Sequence, residues 1–132
     1  MSTRVLAALA LAALVAPATA AEWRPAAHAS DRTLELRTQA AGERPHWFRV
    51  WLAVIDGQVY VRLGPRAARR VEENVRKPYL GVRLGGVQFD RVRGEPAPEM
   101  AARVGEEMRR KYWTDVLVRH MSHPLVLRLV PE

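Results

Sequence analysis

The sequence predicts an α+β domain in which a six-stranded antiparallel sheet curls into a small barrel and carries two helices. Three observations lead there. Apolar-alternating segments flank Asp56-Gly57 and again Gly85-Gly86, and each pair reads as a hairpin. Helical spacing falls between the two hairpins and once more before the last strand, which is not the strand–helix alternation of a parallel sheet. The strands are also apolar enough that open edges would invite association, and closure removes those edges.

The first twenty residues read as something other than this domain. Arg4 precedes Val5–Val15, an unbroken run of eleven apolar residues, and Pro17-Ala18-Thr19-Ala20 ends in the small-x-small pattern that signal peptidase accepts. Eleven residues fall short of the roughly twenty that span a bilayer. The expectation is a signal peptide over 1–20, cleaved after Ala20, and a periplasmic or secreted protein. Only one Arg precedes the run, so the twin-arginine signal is absent and the chain is expected to cross unfolded. Residues 21–31 show no period and read as a flexible leader, and the domain proper runs from 32 to 132.

Leu34, Leu36 and Thr38 alternate with Thr33, Glu35 and Arg37, the period of two of a strand with one buried face. Gly42 and Pro45 mark the loop that follows. Asp56-Gly57 takes positive φ at low cost and favours a two-residue type I′ turn, which fixes a register. Counting outward, Ile55 faces Gln58, Val54 faces Val59, Ala53 faces Tyr60, Leu52 faces Val61, Trp51 faces Arg62 and Val50 faces Leu63. One face is then wholly apolar, and the other carries Arg49, Trp51, Ala53, Tyr60 and Arg62.

Gly64-Pro65 stops that strand. Ala67, Ala68, Val71 and Val75 then lie at helical spacing and predict a helix over Arg66–Arg76, with Glu72–Arg76 and Glu73–Lys77 as i,i+4 pairs, ended by Pro78. The second hairpin runs Tyr79–Leu84, Gly85-Gly86, Val87–Val92, with Val82 opposite Phe89 if the loop is two residues long. Gly94, Pro96 and Pro98 mark a loop. Met100, Val104, Met108 and Tyr112 recur every four residues as a second helix, with Glu106–Arg110 and Glu107–Lys111 as its i,i+4 pairs. Gly105 inside it suggests close approach to another backbone. A turn or short helix around Thr114–His120 leads to the last strand, where Leu125, Leu127 and Leu129 alternate with Val126, Arg128 and Val130.

Composition narrows the chemistry. The 132-residue chain holds 21 Lys+Arg against 14 Asp+Glu, a net charge of +7, and no cysteine. One small domain is expected, and disulfide frameworks, thiolate nucleophiles, Cys-ligated zinc and Fe–S clusters are excluded. Removal of residues 1–20 takes one Arg with it and leaves 112 residues at +6. On an exported protein that charge points to a small anionic ligand or an anionic envelope surface rather than to nucleic acid. His120 and His123 stand two residues apart but lack a neighbouring carboxylate and any His-Glu-x-x-His pattern, so no metal is expected. Ser30 and Ser122 lack a Gly-x-Ser-x-Gly elbow, and no Gly-rich nucleotide loop is present.

From Leu34 to Leu129 the chain resembles the small bacterial split β-barrel proteins of the flavin-reductase-like and deazaflavin-dependent nitroreductase-like group, which includes a short subfamily of unknown function. The residues that carry the likeness are Leu36-Arg37-Thr38, Val50-Trp51-Leu52 running into Asp56-Gly57, and Val59-Tyr60-Val61-Arg62. Asn74-Val75-Arg76-Lys77-Pro78, the Gly85-Gly86 hairpin, Arg110-Lys111-Tyr112 and Leu127-Arg128-Leu129-Val130-Pro131 extend it. The resemblance implies a six-stranded antiparallel split β-barrel with two helices, paired as a homodimer, that sets the phosphate of FMN or a deazaflavin against basic residues. Arg62 matches the basic position ending the Tyr-Val-Arg strand, and Asn74 matches the Asn before the helix-ending Pro. Two features depart from the group. The first loop, Gln39 to Pro45, lacks the Ser and Lys of the Gly-Arg-x-Ser-Gly-Lys-like run of deazaflavin binders, and Arg69-Arg70 replaces a tryptophan.

The face bearing Arg49, Trp51, Tyr60 and Arg62 is the candidate site on physical grounds, since two guanidinium groups can hold a phosphate bidentately beside rings that stack on a planar group. Trp51 and Arg62 could instead form a cross-strand cation–π pair that only stabilises the sheet. Arg66, Arg69, Arg70 and Lys77 could extend the wall into an anion site, or be a solvated helix face. Two functions follow. One is an exported protein binding a flavin-like or other planar anionic ligand, an oxidoreductase if the cofactor brings redox chemistry. The other is a non-catalytic cell-envelope module that has kept the barrel and lost the cofactor. No catalytic residue stands out.

Overall fold

The computed structural model describes residues 18–112 and 125–132. Six strands, β1 (Thr33–Thr38), β2 (His46–Ile55), β3 (Gln58–Leu63), β4 (Tyr79–Leu84), β5 (Val87–Pro96) and β6 (Leu125–Pro131), close into one antiparallel barrel in the order β1-β2-β3-β6-β5-β4. Two helices, α1 (Pro65–Glu72) and α2 (Ala101–Lys111), complete the α+β barrel that the alternation predicts and the split-barrel resemblance implies. The segment read as a signal peptide, up to residue 17, the turn or short helix expected around Thr114–His120, and the pair His120 and His123 lie outside the described residues.

The barrel interior is built by the period of two. Leu34 and Leu36 of β1, Leu52 of β2, Val59, Val61 and Leu63 of β3, Val82 and Leu84 of β4, and Leu127 and Leu129 of β6 are all buried in one cluster. The first hairpin turns as its residues dictate, with Asp56 at φ 50° and Gly57 at φ 74°, the pair of left-handed residues of a type I′ turn. Four of the six expected pairs are registered, from Ile55↔Gln58 to Leu52↔Val61. Beyond them no β2–β3 pair is registered: on its other edge β2 pairs with β1 (Val50↔Leu34, Trp51↔Thr33), and on its other edge β3 pairs with β6 from Val59↔Leu129 to Leu63↔Leu125. The ladder between β2 and β3 is therefore open at the end where Trp51 was expected to face Arg62.

A second cluster lies outside the barrel. Ala53, Ile55, Tyr60 and Val126 form the floor, and Val104 and Met108 of α2 with Tyr112 just past its end form the roof, all of them buried. The stripe recurring every four residues on α2 thus finds its partner on the outer face of β2, β3 and β6. Gly105 faces a side chain rather than a backbone, for a Cβ there would lie 3.4 Å from Arg62 Nη1.

Three elements differ from expectation. Helix α1 ends at Glu72 instead of Arg76, because Asn74 draws the chain into a turn: its Oδ1 accepts the backbone N–H groups of Gln39 (3.1 Å) and Arg76 (3.4 Å), and its Nδ2 donates to Tyr79 O (2.7 Å). The predicted pairs across that end give way to Lys77–Glu72 at 3.0 Å. Strand β5 runs on through Gly94 to Pro96, since Gly94 leaves room for Leu80, whose Cδ1 would stand 3.0 Å from any Cβ. Residues 18–31 also touch the barrel. Ala18 donates to Gln88 O (2.9 Å), and the Trp23 ring stands edge-on to Phe89 with centroids 4.9 Å apart, capping the interior cluster at that end.

Candidate functional site

Where β2 and β3 part, a cavity of about 210 Å³ opens between the two helices. One lip brings Arg49 and Trp51 from β2, the other brings Arg62 from β3, and Gly64, Ala67 of α1 and Met108 of α2 complete it. Three of the four residues expected to form the cationic, ring-bearing wall are thus gathered at one opening. Arg49 is exposed and makes no ion pair among the described residues. Small side chains at Gly64 and Ala67 keep the mouth clear.

Tyr60, the fourth, does not reach this opening. It is 3% exposed beneath α2, and its hydroxyl accepts a hydrogen bond from Arg128 Nε (3.2 Å). The expectation that it shares a solvent-facing wall with Trp51 is corrected by the packing of α2 over that part of the sheet. Trp51 itself stacks on Tyr112, with centroids 4.3 Å apart and planes 2° apart, so one face of the indole is already covered. Tyr112 is held in turn from below. Its hydroxyl contacts the carbonyls of Arg32 and Leu52 (3.0 Å to the latter), and burial pushes its pKa up. Lys111 donates to the same Leu52 carbonyl at 3.2 Å, and loss of hydration pulls its pKa down despite Asp31 and Glu107 nearby.

The helix residues separate from this site. Arg66, Arg69 and Arg70 ride on α1, the first two exposed, and none of them lines the cavity. Lys77 is engaged with Glu72. Asn74, matched by the resemblance to a cofactor-binding position, is 5% exposed and spends its amide on the three backbone groups described above. It joins the loop after β1 to the start of β4 and borders a different, polar hollow of about 190 Å³ with Arg37, Arg76 and Asp90.

Several ordered charge clusters lie outside the predicted set. Arg83 places its guanidinium 3.8 Å over the Trp47 ring, with Arg37 at 5.2 Å, and Arg37 also reaches Asp90 at 3.3 Å. Arg91 sits 4.0 Å over Tyr79, and Glu132 binds both Arg93 (2.7 Å) and Arg91 (3.2 Å), which lowers the pKa of its carboxyl. The alternation that put Leu34 and Leu36 inside also put Glu35 and Arg37 outside, so a cross-strand signal existed in principle. It needed the register of β4 against β1, which no turn residue specifies. No group of three or more His, Cys, Asp or Glu side chains that could hold a metal ion occurs among the described residues.

No protein-family model and no curated protein matches the chain. Solved structures do. The conserved hypothetical protein Rv2991 from Mycobacterium tuberculosis shares 24% identity over 81% of this chain and 78% of its own, with a TM-score of 0.59. The heme storage protein HutZ from Vibrio cholerae shares 19% identity over 81% and 87%, with a TM-score of 0.58. A putative pyridoxamine 5′-phosphate oxidase from Listeria innocua aligns at 18% identity over 81% and 87%, with a TM-score of 0.47. At these identities the likeness is one of fold, and the class it defines is the split β-barrel.

Proposed function

We propose that this protein binds a planar anionic ligand of the flavin kind at the opening between β2 and β3. The observation that supports this reading most is the convergence of Arg49, Trp51 and Arg62 on one cavity where the barrel ladder parts. Two guanidinium groups suit a phosphate or carboxylate, and the Trp51 indole at the cavity suits a planar ring beside it. HutZ, of similar fold, is a heme storage protein, and a haem is likewise planar with anionic groups. A bound flavin would supply redox chemistry, while these residues would bind and orient it. Titration with FMN tests the reading: tryptophan fluorescence should quench saturably, and Arg49→Ala should weaken binding by about tenfold, the usual loss for one charge-assisted contact. No saturable quenching by FMN or haemin at high micromolar concentration would refute it.

The envelope-module reading has one observation in its favour. The cavity of about 210 Å³ is smaller than the roughly 300–1,000 Å³ of ordinary ligand pockets, while Arg66 and Arg69 stand exposed on α1. Export to the periplasm or beyond belongs to this proposal too, as does pairing into a homodimer. Association with anionic vesicles that falls steeply with salt would support the module, and indifference to salt would count against it.

A further inference from the structure

The polar hollow of about 190 Å³ beside Asn74 shares no lining residue with the opening at Arg49. Residues of β1, of the turn after α1, and of β4 and β5 line it. Its central cation is fixed in place. Gly81 pairs with Arg37 across β1 and β4, and a Cβ there would stand 2.7 Å from Arg37 Nε and 2.8 Å from its Cζ, so the guanidinium lies close over the bare strand. Asp90 holds that guanidinium through its side chain (Nη1 to Oδ1, 3.3 Å) and its carbonyl (Nη2 to O, 3.4 Å), and the Trp47 ring centroid lies 5.2 Å from Cζ. Two charged groups at the hollow keep capacity for a ligand. Arg76 is exposed, and its guanidinium makes no ion pair among the described residues. Asp90 accepts from Arg37 and from Gln88 Nε2 (2.8 Å) on Oδ1 alone, so Oδ2 carries no hydrogen bond among the described residues.

We propose that this hollow binds a small zwitterion, an oxyacid anion joined to an ammonium through a one- or two-carbon link, as in an α-amino acid or phosphoethanolamine. The proposal is independent of the planar-anion reading above. The anion would meet Arg76 and the N–H groups of Arg37 that Asp90 leaves over, and the ammonium would donate to Asp90 Oδ2. The mixture of charges carries the argument. Two guanidinium groups repel a simple cation and the carboxylate repels a simple anion, whereas a molecule bearing both charges finds a partner for each. The volume agrees, being too small for a ring-bearing cofactor and adequate for so short a molecule. A free metabolite and a lipid headgroup share this chemistry. In the second case Val75, 56% exposed beside Arg76, is the apolar side chain nearest in sequence to meet the lipid.

Isothermal titration of the full chain with L-alanine, O-phosphoethanolamine, inorganic phosphate and ethylamine tests this. At least one zwitterion should give saturable heat by about 5 mM and bind at least about tenfold more tightly than phosphate or ethylamine. Asp90→Asn keeps an Oδ1 acceptor for Arg37 and Gln88 and removes only the charge, so the fold should hold while zwitterion affinity falls about tenfold. Arg76→Gln, whose side chain has no described partner to lose, should cost as much. A ligand held at the opening by Arg49 would be indifferent to both variants. Sedimentation with phosphatidylethanolamine vesicles, set against phosphatidylcholine, whose quaternary ammonium has no N–H to donate, separates the sources: an Asp90-dependent preference for the former assigns a headgroup, and its absence beside binding of a soluble zwitterion assigns a free molecule. No saturation by either zwitterion at that concentration, phosphate bound as tightly as the zwitterions, or affinity unchanged in both variants would overturn the proposal.

Discussion

Asn74 shows how a single side chain can look functional in the sequence and act through packing. Asn74→Ala would strand three backbone groups in a buried turn and should cost about 2–3 kcal/mol in denaturant unfolding, with FMN affinity unchanged. A loss of FMN affinity without a loss of stability would return it to the ligand site. Lys111 makes a prediction with a sign. Burial lowers its folded pKa below the ordinary lysine range, so between the two values the unfolded chain binds the extra proton and stability rises with pH. Thermal melts from about pH 8 to about pH 10 should show that rise in the wild type and a flatter profile in Lys111→Met, whereas parallel profiles would contradict it. Asn74 stood out in the sequence only through a family likeness. One of its three hydrogen bonds comes from Gln39, thirty-five residues away, and no local pattern announces such a contact.

The first hairpin is the element where sequence and structure agree most closely, and the reason is local. Asp56-Gly57 imposes its own turn, and the turn imposes four pairs of register. Gly57→Ala, at φ 74°, should cost about 1 kcal/mol and lower the melting temperature by several degrees without altering ligand affinity. An unchanged melting temperature would mean that the turn does not hold the register. Further from the turn the sequence is silent, because where the β2–β3 ladder ends depends on the registers of β1 on the far edge of β2 and of β6 on the far edge of β3, which no turn residue specifies. The burial of Tyr60 had a legible clue. Ala53 and Ile55 are too apolar for a wet face, and the Val104, Met108 and Tyr112 stripe on α2 needed a floor. The apolar spacing of α1 runs on to Val75, yet the helix ends at Glu72 and Val75 is 56% exposed beyond a turn fixed by Asn74.

Across the whole molecule, closure of the barrel explains why so apolar a set of strands presents no open edge, and the cavity proposed as the ligand site lies where the β2–β3 ladder ends. Two of the described cations, Arg49 and Arg62, line that opening. The most direct test is an FMN titration of the wild type beside Arg49→Ala, followed by tryptophan fluorescence at two salt concentrations. Saturable quenching that weakens about tenfold in the variant is the predicted result. Quenching absent at high micromolar FMN, or identical in the two proteins, would contradict a ligand site at the opening of the barrel.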